Sequence, residues 1–114
     1  MMQPQAPKFI RVAGAAALAP GSASSVSVGA YDVALFNVDG EFYALENSCP
    51  HQGGPLADGW LEGSTITCPW HGWCFEVRSG KMTLGEFARV ARFAVRREGS
   101  DLLIGSRPLD EEDR

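Results

Sequence analysis

Four side chains in this sequence can bind a metal, and they come in two pairs. Cys49 and His51 stand in "CPHQGG", and Cys68 and His71 stand in "CPWHGW". Thiolate and imidazole both suit transition metals of borderline or soft character. Each pair follows a strand-like stretch and enters a loop rich in Gly and Pro, so two ligand loops can face each other across one centre. Gly53, Gly54 and Gly72 remove the side chains that would hold the backbone away from it. If either His were an ordinary core residue, its place beside a Cys would be a coincidence occurring twice.

The order of the ligands narrows the chemistry. Structural zinc sites commonly combine Cys pairs with His pairs, or use four Cys. Here each loop offers one of each, which lets two thiolates hold one iron of a two-iron cluster and two imidazoles hold the other.

The elements around these loops read as strands. "KFIRVA" (8–13) forms a first strand, and the Ala-, Ser- and Gly-rich stretch 13–25 a connecting loop. "SVSV", "YDVALFNV" and "EFYALEN" alternate or run apolar. Asp39-Gly40 separates the last two as a tight hairpin turn, so residues 31–46 are two antiparallel strands. Residues 47–63 read as loop, 64–67 as strand, 73–77 as strand. Residues 89–99 form a strand with an irregularity near Arg92, and "DLLIGS" a last strand. The expected fold class is all-β: an antiparallel β base built from the two chain ends, with a small cluster-binding subdomain inserted at about 45–81. Residues 1–7 are expected to be a flexible leader, 8–107 one domain, and 108–114 an acidic flexible tail.

Composition excludes several functions. The chain has 114 residues and a net charge of −4, and residues 108–114 alone carry four acids and one Arg. The remainder is nearly neutral, with no basic face for nucleic acid. No apolar run approaches the ~20 residues of a membrane span. Lys8 and Arg11 ahead of VAGAAALA loosely imitate a signal peptide, but the apolar segment is weak and "KFIRVA" reads as structure, so a cytoplasmic location is expected. Three cysteines do not make a disulfide scaffold.

"CPHQGGPL" with "CPWHGWCFEV" resembles the Rieske [2Fe–2S] family in its soluble ferredoxin branch, and the likeness runs from 33 to 80. The resemblance implies one [2Fe–2S] cluster, with Cys49 and Cys68 on the first iron and His51 and His71 on the second. Gln52, Trp70 and Gly72 would surround the exposed tip. It implies a one-electron carrier rather than an enzyme, acting between a flavin-dependent NAD(P)H ferredoxin reductase and a terminal oxygenase, and monomeric. An oxygenase proper is expected to need a second domain, and a cytochrome bc-type subunit a membrane anchor. A small subunit of a nitrite reductase and a zinc module are the alternatives.

Charge explains the potential of such a centre. Two thiolates neutralise the oxidised two-iron, two-sulfide core, so an added electron meets a neutral site rather than the dianionic site of four thiolates. High-potential relatives carry a disulfide between the loops and hydroxyl donors after the second loop. The matching positions here are Gly54 with Trp70, and Trp73 with Phe75. Fewer donors place the expected potential at the low end, ~−150 mV. The segment 81–90 lacks the Pro of many relatives' covering loop, and Met82, Leu84 and Phe87 are candidates to shield the site instead.

Other residues have plainer expectations. Cys74 alternates with Trp73 and Phe75 and reads as a spare, half-exposed thiol. Trp60 is expected to pack between the insertion and the base, and Trp70 to be exposed where a partner could dock. Phe36, Phe42 and Tyr43 read as hairpin core or cross-strand pairs, and Arg96 and Arg97 as a solvated strand edge.

Overall fold

The computed structural model describes residues 8–50, 53–70, 72–83 and 88–109. These form ten strands: β1 Phe9–Val12, β2 Ala23–Val28, β3 Tyr31–Val38, β4 Glu41–Glu46, β5 Trp60–Glu62, β6 Thr65–Thr67, β7 Cys74–Glu76, β8 Arg92–Phe93, β9 Val95–Glu98 and β10 Asp101–Gly105. Two 3-10 turns, Ala15–Ala17 and Leu56–Asp58, are the helical content of the described residues. All pairings between strands are antiparallel, in three sheets ordered β1-β10-β9, β2-β3-β4-β8 and β5-β6-β7. The fold class is the all-β one expected.

The hairpin of β3 and β4 is the frame. Asp39 and Gly40 turn it with φ of 52° and 95°, and Phe36 faces Tyr43 across the ladder. An apolar run at every position of "VALF" makes sense because β3 is buried on both faces. Val33 and Leu35 pack with Leu102, Ile104 and Phe93 on one side, and Ala34, Phe36 and Val38 pack with Ile66, Phe75 and Val77 on the other. β3 is therefore the wall between the interior of the base and the interior beneath the β5-β6-β7 sheet.

Two parts of the sequence reading are corrected. Residues 89–99 do not form one strand. β8 pairs with β4, whereas β9 pairs with β10, and the break falls at Ala94, whose carbonyl receives the Gly105 N–H at 2.9 Å. The chain changes sheets there, which is the physical content of the irregularity. Residues 47–63 are not all loop, because β5 lies within them. β5 is an edge strand that points Leu61 into the core and Trp60 out, so Trp60 is 62% exposed rather than packed between insertion and base.

The remaining side chains follow burial. Phe36 is buried, and Phe42 and Tyr43 are half-buried against opposite cores. Arg96 and Arg97 are exposed and lie over the Phe9 and Phe42 rings, at 4.9 and 5.9 Å. Arg11 pairs with Glu98 and Asp101, fastening β1 to the β9–β10 turn. Leu109 donates its N–H to Arg92 at 2.7 Å. Residues 1–7 and 110–114 lie outside the described residues.

Candidate metal centre

The two cysteine loops are built on one hydrogen-bond frame. In the first, Cys49 N–H donates to the Gly54 carbonyl at 2.8 Å, and Gly53 N–H donates back to the Cys49 carbonyl at 2.7 Å. In the second, Cys68 N–H donates to the Trp73 carbonyl at 2.8 Å, and Gly72 N–H donates to the Cys68 carbonyl at 3.1 Å. Each loop thus closes from its Cys to the fifth residue on, and back from the fourth. That fourth residue is Gly in both, with φ of 78° and 77°, a region costly for a residue with a Cβ. Each Cys is followed by Pro.

Both loops hang from strands that the fold fixes. Cys49 follows β4, and Cys68 follows β6 while Cys74 opens β7. Asn47, buried at the end of β4, ties three parts together. Its Nδ2 donates to Asp32 Oδ2 at 3.0 Å, its N–H to the Asp32 carbonyl at 2.9 Å, and its Oδ1 accepts the Ala57 N–H at 2.7 Å. It therefore pins the first loop and the turn at Leu56–Asp58 to the base. Sequence reading missed this role, although a polar residue at a strand end just before a ligand Cys is a visible signal for a capping contact.

Cys49 and Cys68 are thiols at 1% exposure and belong to the same buried cluster. The loops also touch. A Cβ placed on Gly54 would lie 2.9 Å from Cys68 Sγ and 3.0 Å from Trp70 Cγ. Only a residue without a side chain fits there. Cys74 is half-buried on the outer face of the β5-β6-β7 sheet, its Sγ 3.3 Å from Thr67 Oγ1, so it points away from the core that holds the other two sulfurs. Met82 is half-buried against that core, facing Phe75 across an isolated bridge. Trp70 is 55% exposed, and Trp73 packs partly on the same core.

His51, His71, Gln52, Leu84 and Phe87 lie outside the described residues. Among the described residues no three His, Cys, Asp or Glu side chains come together. The described half of the donor set nonetheless fits a [2Fe–2S] cluster. Two thiols buried in one cluster, on loops closed by matching hydrogen bonds, with Gly54 leaving room beside Cys68 Sγ, are sulfur donors of the kind that would hold one iron of such a cluster.

Comparison with known proteins agrees. Residues 8–94 match the Rieske [2Fe-2S] domain family. The biphenyl dioxygenase ferredoxin subunit of Pseudomonas sp. (strain KKS102) is 39% identical over 87 residues, 75% of this chain and 80% of that protein. Apoptosis-inducing factor 3 of Homo sapiens is 42% identical over 62 residues, 54% of this chain, and the match spans 10% of that protein's length. Among solved structures, a chain from the complex of reduced oxygenase and oxidised ferredoxin in carbazole 1,9a-dioxygenase superposes with a TM-score of 0.83 at 29% identity, over 93% of this chain and 100% of that one. With 87 matching residues, two buried cysteine loops and a fold shared along nearly the whole chain, this protein belongs to the Rieske [2Fe-2S] domain family, whose cofactor is one [2Fe–2S] cluster.

Proposed function

We propose that this chain is a one-electron carrier, the ferredoxin component of a multicomponent oxygenase system, taking electrons from a flavin-dependent NAD(P)H reductase and passing them to a terminal oxygenase. The observation that carries the reading is the pair of matching loops that bury Cys49 and Cys68 in one cluster, in a fold whose relative serves biphenyl dioxygenase. Cys49 and Cys68 hold one iron, and His51 and His71 hold the other.

The cluster supplies a reversible one-electron couple. The chain's own residues do the rest. The two loop frames hold both sulfurs in fixed positions, so the ligands need not move when the charge changes. Phe75 and Ile66, both buried, keep water from beneath them. Trp73 and Phe75 bring no hydroxyl to the site, which leaves less to stabilise an added negative charge and places the potential at the low end, ~−150 mV. Trp70, exposed on the second loop, offers a partner protein an apolar contact close to the ligands. The chain carries electrons and has no catalytic residue of its own.

The match to a protein ten times as long as the matched segment favours a second reading, in which this fold is a module fixed in a larger assembly such as a nitrite reductase. Co-purification with one partner at fixed stoichiometry would select it.

Electron paramagnetic resonance of the dithionite-reduced protein, purified without added metal, tests the ligand set. A rhombic signal with average g well below that of a four-Cys cluster is expected. A silent, zinc-loaded protein would overturn the reading, and a redox titration with a midpoint above zero would overturn the low potential.

A further inference from the structure

We propose that the Trp70 indole, seated on Gly54, is the clasp that joins the two ligand loops and keeps water from the Cys68 sulfur. It is a positioning residue, and its role rests on the ligand assignment above. Three distances define the contact. A Cβ on Gly54 would stand 2.9 Å from Cys68 Sγ, 3.0 Å from Trp70 Cγ and 3.1 Å from Trp70 Cδ2. One point on the first loop thus meets both the sulfur and the inner edge of the indole of the second.

The backbone at Gly54, unlike that at Gly53 and Gly72, does not have a positive φ. Space alone demands glycine there. A methyl group would press on the sulfur at a separation that real Cβ contacts do not sustain and crowd the ring as well, so the sulfur, and with it the indole, would have to give way.

The contact also reaches the other cysteine. Gly54 holds its place through its carbonyl, which accepts the Cys49 N–H at 2.8 Å. The chain of contacts therefore runs from indole to Gly54 to the backbone of Cys49, linking the two sulfur-bearing residues through one aromatic ring. Hydrogen bonds within each loop fix its own shape but do nothing to hold one loop against the other. The indole does that.

Exposure fits the same role. Trp70 is 55% exposed, yet Cys68, two residues earlier in the same surface loop, is 1% exposed. A large ring with one side packed and one side wet is a cover. Trp60, the other exposed indole among the described residues, sits in β5 on the outer face of its sheet beside Thr67 and serves as a matched control.

The test uses the holoprotein of the wild type, Trp70→Ala, Trp70→Phe, Trp60→Ala and Gly54→Ala. Bleaching of the visible bands by excess EDTA reads how fast iron is lost, and redox titration reads the midpoint. Trp70→Ala is expected to bleach about tenfold faster, the rate equivalent of losing one aromatic contact. Its midpoint is expected to rise, because water reaching the sulfur stabilises the added negative charge. A role limited to holding the fold would leave the midpoint where it is.

Trp70→Phe keeps a ring over Gly54 and should stay within about twofold of the wild type, on the same contact energy. Trp60→Ala should match the wild type in both readouts. Gly54→Ala should lose iron at least as fast as Trp70→Ala, and in the double variant the two effects should fall short of additivity, since both act on one contact. Wild-type bleaching with an unshifted midpoint in Trp70→Ala would overturn the clasp, even if electron delivery to a partner were impaired. So would a Trp60→Ala variant that bleaches as fast as Trp70→Ala. Should Trp70→Ala take up no iron, the clasp requires Trp70→Phe to take it up, and an iron-free Trp70→Phe overturns the proposal. A wild-type protein without iron defeats the reading of function and the clasp with it, whereas an indifferent Trp70→Ala holoprotein defeats the clasp alone.

Discussion

On one side of β3 the interior is hydrocarbon; on the other it closes over two sulfur atoms. The base packs Val28, Val33, Leu35, Leu102, Ile104 and Phe93 from strands far apart in sequence, with each end of the chain contributing. The second interior has its own apolar members, Phe36, Ile66 and Phe75, but Cys49 and Cys68 are part of it as well. Its upper sheet consists of three strands of three residues each. Such short strands gain little from their ladders, and a small sheet is marginal without a covered face. The base can therefore be stable through burial alone, whereas the upper lobe needs its loops held together at the sulfurs. The candidate site lies in the part with the shortest strands, so a metal bound there would become part of its folding.

The strongest way to break this comparison is to remove a sulfur. Cys68→Ser should abolish iron binding. Amide exchange should then accelerate in β5, β6 and β7 while β3, β4 and β10 keep their protection. Equal acceleration everywhere would mean that the two interiors are one cooperative unit. Next in size is a cavity in the base. Ile104 is fully buried, and Ile104→Ala should cost ~2–5 kcal/mol in denaturant unfolding while leaving the reduced-state spectrum of the folded protein unchanged. A shifted spectrum would show that β3 transmits strain from one side to the other.

A smaller effect belongs to the seam of the base. Asp101 accepts the Gly14 N–H and the Arg11 guanidinium, which hold its carboxyl below the usual carboxylate range. A lowered folded pKa gives stability that is present above the unfolded value, about 4, and lost as pH falls through the folded one. Asp101→Asn should flatten the acid side of the stability profile in that window, with the visible spectrum untouched. An unchanged profile would show that the pair is screened away at this exposed site. The smallest effect is expected at Cys74, on the outer face. Cys74→Ser should keep iron content and midpoint at wild-type values, and loss of visible absorption would place this thiol among the ligands.

The sequence made the hairpin plain, because Asp39-Gly40 between two apolar runs admits few other conformations. It did not reveal β5. "WLE" is too short to show alternation, and the close approach that accompanies its pairing, Gly59 where a Cβ would strike the Thr67 carbonyl, exists only in the folded chain. It did not reveal that β8 and β9 serve different sheets either, since residues 89–99 run on without a Gly or Pro to divide the two strands and only tertiary pairing separates them. For the candidate metal centre, residue type and spacing singled out Cys49 and Cys68, and the fold buries both in one cluster. The shared frame was not, although the Gly four places after each Cys was there to be read. Asn47 and the Gly54–Trp70 contact were hidden for another reason: each joins segments that only the folded chain brings together.

The twin frames also say how these loops can drift. Substitutions outside the ligands, the positive-φ glycines and Gly54 alter side chains that the hydrogen bonds do not use. Insertions and deletions are another matter. One extra residue between Cys49 and Gly53, or between Cys68 and Gly72, would push each donor past its acceptor and open both bonds of that loop at once. Apart from Trp70, the two loops are therefore tolerant in composition and rigid in length, whereas the turn at Gly63 between β5 and β6, open on its outer side, can lengthen with little consequence.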